Sequence, residues 1–330
     1  MSGAISRRHF VKTVLVTGVA LQIPGYTLSM FSQGAKTTKI GIITDLHHDV
    51  IHNGLERLKV FVDHMKSVKP DALLQMGDLA YPDVKNKAVI DLFNNAHPVR
   101  MHVIGNHDTD GGHTKEQCIE YWGMPARYYT NDVNGIRFII LDGNEKGPAY
   151  KSGYPSNINQ VQADWLEAQL QMADKPVVVI SHQPLAGALE VDNARQIQGL
   201  LSRYSKRILI AINGHTHIDS QYFIDGVHYM HINSASYFWM GGKFKHNSYG
   251  TQIHKEHPYI CYTCPYKDAL YTTLTVHPSS GIITIEGCRS EWVGPSPEEL
   301  NYFNKDAMAL PTEIVPWINK RHFKHKVRNI

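Results

Sequence analysis

Cysteine is scarce in this sequence, with four among 330 residues, which excludes a scaffold built from disulfides. An excess of one charge is also lacking: the formal net charge is only +3, so bulk electrostatics give no reason to expect nucleic acid as a partner. The apolar stretch at residues 13–23 is too short and too interrupted for a stable membrane span. What remains is an ordinary globular composition, 42% hydrophobic and 19% charged, with 20 histidines as its unusual feature.

The N-terminus has the pattern of an export signal. Arg7 and Arg8 precede the apolar stretch, and Pro24 follows it, which is typical of a twin-arginine signal. We predict a signal peptide at residues 1–34 and one mature domain at residues 35–330. A signal of this type implies the twin-arginine export machinery as a partner and a periplasmic location. The alternative is a cytoplasmic protein with a basic N-terminus.

The hydrophobic pattern after residue 38 predicts alternating strands and helices. This order favours parallel strand pairing and an α/β core. A series of further strands, at 227–232, 270–276 and 281–287, predicts a β-rich C-terminal part. We expect the basic segment 320–328 to be a solvated tail. The predicted strands of the core are 39–43, 72–76, 101–104, 136–141, 176–180 and 207–212, and the helices are 54–69, 88–95, 115–121, 161–172 and 192–204.

Five of these predicted strands end in side chains that suit metal ions and proton transfer. Open α/β sheets place their sites at the carboxyl ends of strands, so we expect these ends to converge. Mixtures of carboxylate and imidazole suit Mn, Fe and Zn. Asp45 and His47, two residues apart on extended chain, point the same way and reach one ion. The whole set comprises Asp45, His47, Asp78, Asn106, His107, Asp108, His182, His215 and His217.

In this order, the motifs Asp-x-His, Gly-Asp, Gly-Asn-His-Asp, a single His and Gly-His-x-His resemble the calcineurin-like metallophosphoesterases. The resemblance covers residues 39–219 and implies a four-layer αββα sandwich of two mixed β-sheets. It also implies two divalent metal ions that share Asp78. One ion would bind Asp45, His47, Asp78 and His217, and the other would bind Asp78, Asn106, His182 and His215.

The same resemblance implies hydrolysis of a small phosphoester. Two ions would neutralise the phosphate and deprotonate a bridging water for in-line attack on phosphorus. His107 would face the substrate and either protonate the leaving oxygen or hold a phosphate oxygen, and Asp108 would orient His107. By analogy with exported relatives, we expect a phosphodiesterase rather than a phosphomonoesterase. A non-catalytic metal-binding surface module is the alternative from another class.

Four further residues are candidates for the substrate pocket. Tyr81 follows Asp78 by three residues, as the tyrosinate ligand of purple acid phosphatases does, but His47 already supplies that ligand here. We therefore interpret Tyr81 as a rim or packing residue and keep the purple phosphatase as an alternative. Tyr237, Trp239 and His113 are the other candidates, against a core or loop role. Cys261 and Cys264 are expected to form a local disulfide or to remain two free thiols.

Overall fold

The computed structural model describes residues 36–277, 280–303 and 308–325. The predicted signal peptide lies outside the described residues. The strands are β1 (Thr38–Ile43), β2 (Ala72–Gln75), β3 (Arg100–His102), β4 (Tyr129–Val133), β5 (Ile136–Ile140), β6 (Val177–Ile180), β7 (Ile208–Asn213), β8 (Ser220–Ile224), β9 (Val227–His231), β10 (Tyr237–Trp239), β11 (Thr263–Pro265), β12 (Thr272–His277), β13 (Ile282–Ile285), β14 (Cys288–Arg289), β15 (Trp317–Ile318) and β16 (Arg321–Lys324). The helices are α1 (Gly54–Val68), α2 (Lys87–Asn94), α3 (Lys115–Trp122), α4 (Gln160–Met172), α5 (Ala194–Arg203) and α6 (Thr251–Glu256).

Two six-stranded mixed sheets form the centre of the molecule. The first has the order β16-β13-β12-β1-β2-β3, in which β1, β2 and β3 run parallel and β12, β13 and β16 pair antiparallel. The second has the order β4-β5-β6-β7-β9-β8, in which β5, β6, β7 and β9 run parallel. The carboxyl ends of the parallel strands are the sites of the predicted ligands. Two short pairs, β10 with β11 and β14 with β15, lie outside these sheets.

Apolar side chains hold the layers together. Ile42 of β1 and Phe138 of β5 belong to one buried cluster between the two sheets. On the outer face of the first sheet, α1 buries Phe61 at helical spacing from Leu58 and Met65. Leu166 of α4 covers the outer face of the second sheet in the same way. The predicted four-layer sandwich is therefore confirmed. None of the helices in the described part of the chain is long and apolar enough to cross a bilayer.

In the described part of the basic segment near the C-terminus, residues 321–324 form a strand and not a solvated tail, so the prediction is wrong there; residues 326–328 lie outside the described residues. Arg321–Lys324 pairs with β13 at the edge of the first sheet. Its Arg321 donates two hydrogen bonds, of 2.6 and 2.9 Å, to the buried carboxylate of Asp219. A buried carboxylate needs a cationic partner of this kind. The distribution of charge along the sequence does not show that Asp219 is buried and pairs with Arg321.

Candidate metal centre

The predicted ligands meet where the parallel strands of both sheets end. The first sheet supplies Asp45 and His47 after β1, Asp78 after β2 and Asn106 after β3. The second sheet supplies His182 after β6 and the pair His215 and His217 after β7. Each side chain lies within four residues of its strand, so the two sheets fix the positions from which these side chains reach the site.

The first cluster consists of Asp45, His47 and His217, whose ligand atoms lie within 4.8 Å of one another. The Nε2 atoms of His47 and His217 face each other at 3.1 Å, and Asp45 Oδ1 lies 3.2 Å from His217 Nε2. Two imidazole nitrogens and one carboxylate oxygen aimed at one point suit a divalent cation better than a hydrogen-bond network. This donor set fits a metal ion.

The second cluster consists of Asp78, His182 and His215, with ligand atoms again within 4.8 Å. His182 Nδ1 donates to the carbonyl of Met76 at 2.8 Å, which leaves Nε2 as the free ligand atom. That Nε2 lies 3.2 Å from Asp78 Oδ2 and 3.2 Å from Asn106 Oδ1. The same Asp78 oxygen lies 3.5 Å from His47 Nε2 of the first cluster. Asp78 therefore stands between the two clusters, where a shared ligand would be. All seven predicted ligands come together, and their binding of metal remains a prediction.

The backbone beneath these side chains is strained. Among the described residues, ten that are not glycine have positive φ, and five of them are Asp45, His47, Asp78, His215 and His217. Residues with side chains rarely adopt this conformation, which occurs mainly where surrounding structure enforces it and clusters at functional sites.

The glycines of the motifs leave room for the ligands. A Cβ at Gly105 would lie 2.0 Å from Asp78 Oδ1, and a Cβ at Gly214 would lie 2.4 Å from Asp45 Oδ2. Contacts this short are sterically excluded, so only glycine lets these strand ends approach the two carboxylates.

Burial and charge set the protonation of the clusters in the absence of metal. Burial lowers the pKa of both His47 and His215 to about 3, so both imidazoles are neutral at pH 7. Burial also disfavours a proton on His182, but Asp78 and Asp45 outweigh it and raise the pKa of His182 to about 10. Burial raises the pKa of Asp45, yet His217 and His182 bring it to about 2.

His107 lies beside the first cluster, with its ring 5.2 Å from that of His47. Its Nδ1 is 2.7 Å from Asp110 Oδ2 and 3.0 Å from the hydroxyl of Tyr154. Burial lowers the pKa of His107, but Asp78 and Asp110 outweigh it, and the pKa is raised above its ordinary value. This favours the protonated ring that an acid requires.

The prediction that Asp108 orients His107 is wrong. The Asp108 carboxylate accepts the backbone N–H groups of Asp78 at 2.8 Å, Leu79 at 3.0 Å and Gly105 at 2.7 Å. Asp108 therefore fixes the loops after β2 and β3 and does not hold the imidazole. A carboxylate three residues from His107 in the same turn was the available signal for Asp110, and nothing in the sequence pointed to Tyr154.

Three serine and threonine hydroxyls that the motifs do not include also support the site. Thr44 Oγ1 donates to Asp45 Oδ2 at 2.6 Å. Ser234 Oγ donates to the carbonyl of Asp45 at 2.9 Å, and Ser236 Oγ donates to that of Leu46. The segment between β9 and β10 thus holds the left-handed turn after β1. Hydroxyls in a loop are too common for sequence alone to assign this role.

A cleft of about 680 Å³ opens above the two clusters. Tyr81, Tyr237 and Trp239 line it, as predicted for pocket residues. His113 does not line this cleft; it lines a neighbouring cavity of about 270 Å³, so its assignment to the main pocket is wrong. Burial and the carboxylates of Asp110 and Asp49 raise the pKa of Tyr81 to about 12, which opposes a tyrosinate ligand. Cys261 and Cys264 are free thiols.

The model of the calcineurin-like phosphoesterase family matches residues 38–219 of the chain. The chain therefore belongs to this family. A dimetal phosphatase from Danio rerio shares 14% identity with it over 78% of this chain and 99% of that one, with a TM-score of 0.55. GAP50, the anchor in the inner membrane complex of Plasmodium, shares 13% identity over 81% of this chain and 94% of that one, with a TM-score of 0.51. At these identities the likeness concerns the fold. No curated protein matches the chain.

Proposed function

We propose that this protein hydrolyses a small phosphodiester with the help of two divalent metal ions. The observation that carries the proposal is the arrangement of the two three-residue clusters. Asp78 of the second cluster also reaches the first cluster, and His107 lies beside them. The fold alone does not decide the function, because both a phosphatase and an anchor protein have it.

The residues divide the chemistry among them. Asp45, His47 and His217 would hold one ion, His182, His215 and Asn106 the other, and Asp78 both. When bound, two such ions neutralise phosphate oxygens and lower the pKa of water. Nitrogen and oxygen donors of this mixture suit Mn, Fe or Zn.

His107 would act as the general acid. Asp110 and Tyr154 engage its Nδ1, so Nε2 is the ring nitrogen that can give a proton to the leaving-group oxygen. The hydrogen bonds at Nδ1 also restrict rotation of the ring, so the acid is already oriented when substrate enters.

The charges of the cleft favour a diester over a monoester. Among the described residues that line it, none is a lysine or arginine, and Asp78 and Asp110 both contribute carboxylates. A monoester dianion gains most from a lysine or arginine that binds its oxygens in addition to the metal ions. A diester carries a single negative charge and requires less compensation.

The experiment that tests the proposal is hydrolysis of bis(p-nitrophenyl) phosphate beside p-nitrophenyl phosphate. Wild-type protein and His107→Ala would be loaded with Mn, Fe or Zn. We expect metal-dependent turnover with the diester preferred. For a diester with a poor leaving group, we expect a loss of about 10²–10⁴-fold in His107→Ala, whereas the loss with bis(p-nitrophenyl) phosphate should be small because p-nitrophenolate leaves without protonation. Preference for the monoester would contradict the diesterase. Two bound metal ions without turnover of either ester would favour the non-catalytic module, and a chain that binds no metal would refute both.

We also propose export through the twin-arginine machinery to the periplasm. The paired arginines at 7 and 8 and the apolar stretch that follows support it. Cell fractionation of wild-type protein and of a variant with Arg7→Lys and Arg8→Lys tests it. We expect the wild type in the periplasm and the variant in the cytoplasm. Equal periplasmic amounts would contradict this route.

A further inference from the structure

Five of the fourteen large apolar side chains that are exposed in the described part of the chain line the cleft. Tyr154 is 49% exposed, Leu189 46%, Trp239 41%, Tyr259 60% and Met308 43%, and all five line the cleft. Scattered exposed apolar residues need no explanation, but a contiguous apolar surface around a pocket marks a binding site.

Trp239 is held rigidly within this surface. It belongs to β10, which pairs with β11 on the register Trp239 to Thr263. The ring of Tyr262 stacks on it with centroids 5.6 Å apart and planes at 30°. The backbone N–H groups of Met240 and Gly241 donate to the carbonyl of Tyr262 at 2.7 and 3.1 Å, which anchors both rings. Because the Trp239 ring is already fixed, it loses little conformational entropy when a second ring stacks on it.

The aromatic side chains form a continuous series from Tyr259 to the two clusters of candidate metal ligands. Tyr237 stacks on His47 with centroids 5.1 Å apart and an interplanar angle of 24°. Tyr237 in turn lies 6.4 Å from Trp239, on the same side of β10. At the outer end, Tyr259 contacts Tyr262 at 6.2 Å. A group esterified to a phosphate at the clusters would therefore extend directly along this surface.

We propose that the substrate carries a planar aromatic ester group that lies against Trp239 and Tyr259. This inference rests on the proposed function for the phosphate half of the substrate. The described lining offers that group no lysine or arginine, and Trp239, Tyr259 and Tyr154 contribute aromatic rings to it. Stacking against aromatic side chains contributes free energy beyond the burial of apolar area, so a planar ring is favoured over an aliphatic group of equal size.

Binding of three phosphonates to metal-loaded protein tests this inference by calorimetry. Methylphosphonate probes the metal ions alone, cyclohexylphosphonate adds apolar area, and phenylphosphonate adds a ring face. We expect phenylphosphonate to bind about threefold to tenfold more tightly than cyclohexylphosphonate. Trp239→Leu and Tyr259→Leu should each reduce this ratio. The control Phe223→Leu, at a 65% exposed aromatic residue outside the cleft lining, should leave it unchanged.

The outcomes separate this inference from the proposed function. Equal affinity for phenyl- and cyclohexylphosphonate would overturn stacking, and equal affinity for all three would overturn the apolar subsite altogether. A phenyl preference that survives both leucine variants would place the ring elsewhere and contradict the assignment. Preference for phenylphosphonate without hydrolysis of any ester would refute the proposed reaction and leave the aromatic subsite standing.

Discussion

The floor and the wall of the cleft are built in different ways. On the floor, the clusters around Asp78 follow directly after buried strands, and five of the seven predicted ligands hold a left-handed backbone. The wall consists of side chains from separate segments, such as Tyr154, Trp239 and Met308, and these are substantially exposed. The difference indicates that backbone geometry fixes the positions of the candidate ligands, while exposed side chains from separate segments are the ones that we propose select the substrate.

Removing Asp78, which lies between the two clusters, should have the largest effect. We expect Asp78→Ala to lose both metal ions and to reduce diester hydrolysis by about 10³-fold or more, because Asp78 stands between the two clusters. Metal content by elemental analysis and turnover check it. Asp132→Ala, at a surface carboxylate paired with Arg137, is the control. Two ions retained in Asp78→Ala would show that the clusters do not share this ligand.

A single methyl group on the floor should have the next largest effect. Gly105→Ala places a Cβ 2.0 Å from Asp78 Oδ1, so we expect a loss of about 10–100-fold in metal affinity. Gly199→Ala is the matched control, because a Cβ there meets no atom within 4 Å and the residue lies within α5. Metal titration of both variants measures the difference. Unchanged affinity in Gly105→Ala would contradict the claim that backbone approach positions the ligands.

The hydrogen bonds at His107 connect the floor with the wall. We expect Asp110→Asn to lower kcat by roughly tenfold for a diester with a poor leaving group, a fraction of what a general acid supplies. With p-nitrophenolate, which leaves without protonation, the loss should be small. Comparing kcat for the two leaving groups checks this, with Asp132→Asn as the control. An equal loss for both leaving groups would mean that Asp110 is only structural.

The smallest predicted effect is the release of a proton from His182 when the second cluster binds a metal ion. His182, with its pKa raised to about 10, is protonated at pH 7 in the absence of metal, and an imidazole must be neutral to bind an ion. Loading the second cluster at pH 7 should therefore release about one proton, and affinity should rise with pH until about pH 10. Titration calorimetry in two buffers that differ in ionisation enthalpy counts the proton. Affinity that does not depend on pH between 6 and 9 would contradict it.

The floor could be predicted from the sequence because its information is local. Each ligand lies within four residues of a strand whose apolar run is visible in the sequence, so the local pattern alone predicts Asp45, Asp78 and His215 as ligands. The parallel sheet then follows from the alternation of strands and helices, and the sheet brings the strand ends together.

Contacts between segments that are far apart in the sequence could not be predicted from it. Tyr154 reaches His107 across 47 positions, and Arg321 reaches Asp219 across 102. The tyrosine lies in an irregular segment, and the arginine lies in a run whose charge suggested a solvated tail. The prediction for Asp108 is wrong for a related reason: its neighbour in sequence is His107, but two of its three backbone N–H partners belong to the loop after β2.

The pairing of the first sheet also sets an order of events during synthesis. β1, which carries Asp45 and His47, lies between β2 and β12, and β12 pairs in turn with β13 and β13 with β16. Half of this sheet is therefore translated only after residue 271. The Asp219 carboxylate can form its ion pair with Arg321 only after that residue has been translated. When His217, the last candidate ligand in the sequence, leaves the ribosome, β12, β13 and β16 have not yet been translated. These are three of the six strands in the sheet that positions Asp45, the first candidate ligand. We therefore expect metal loading to follow the translation of β16, once both sheets have formed.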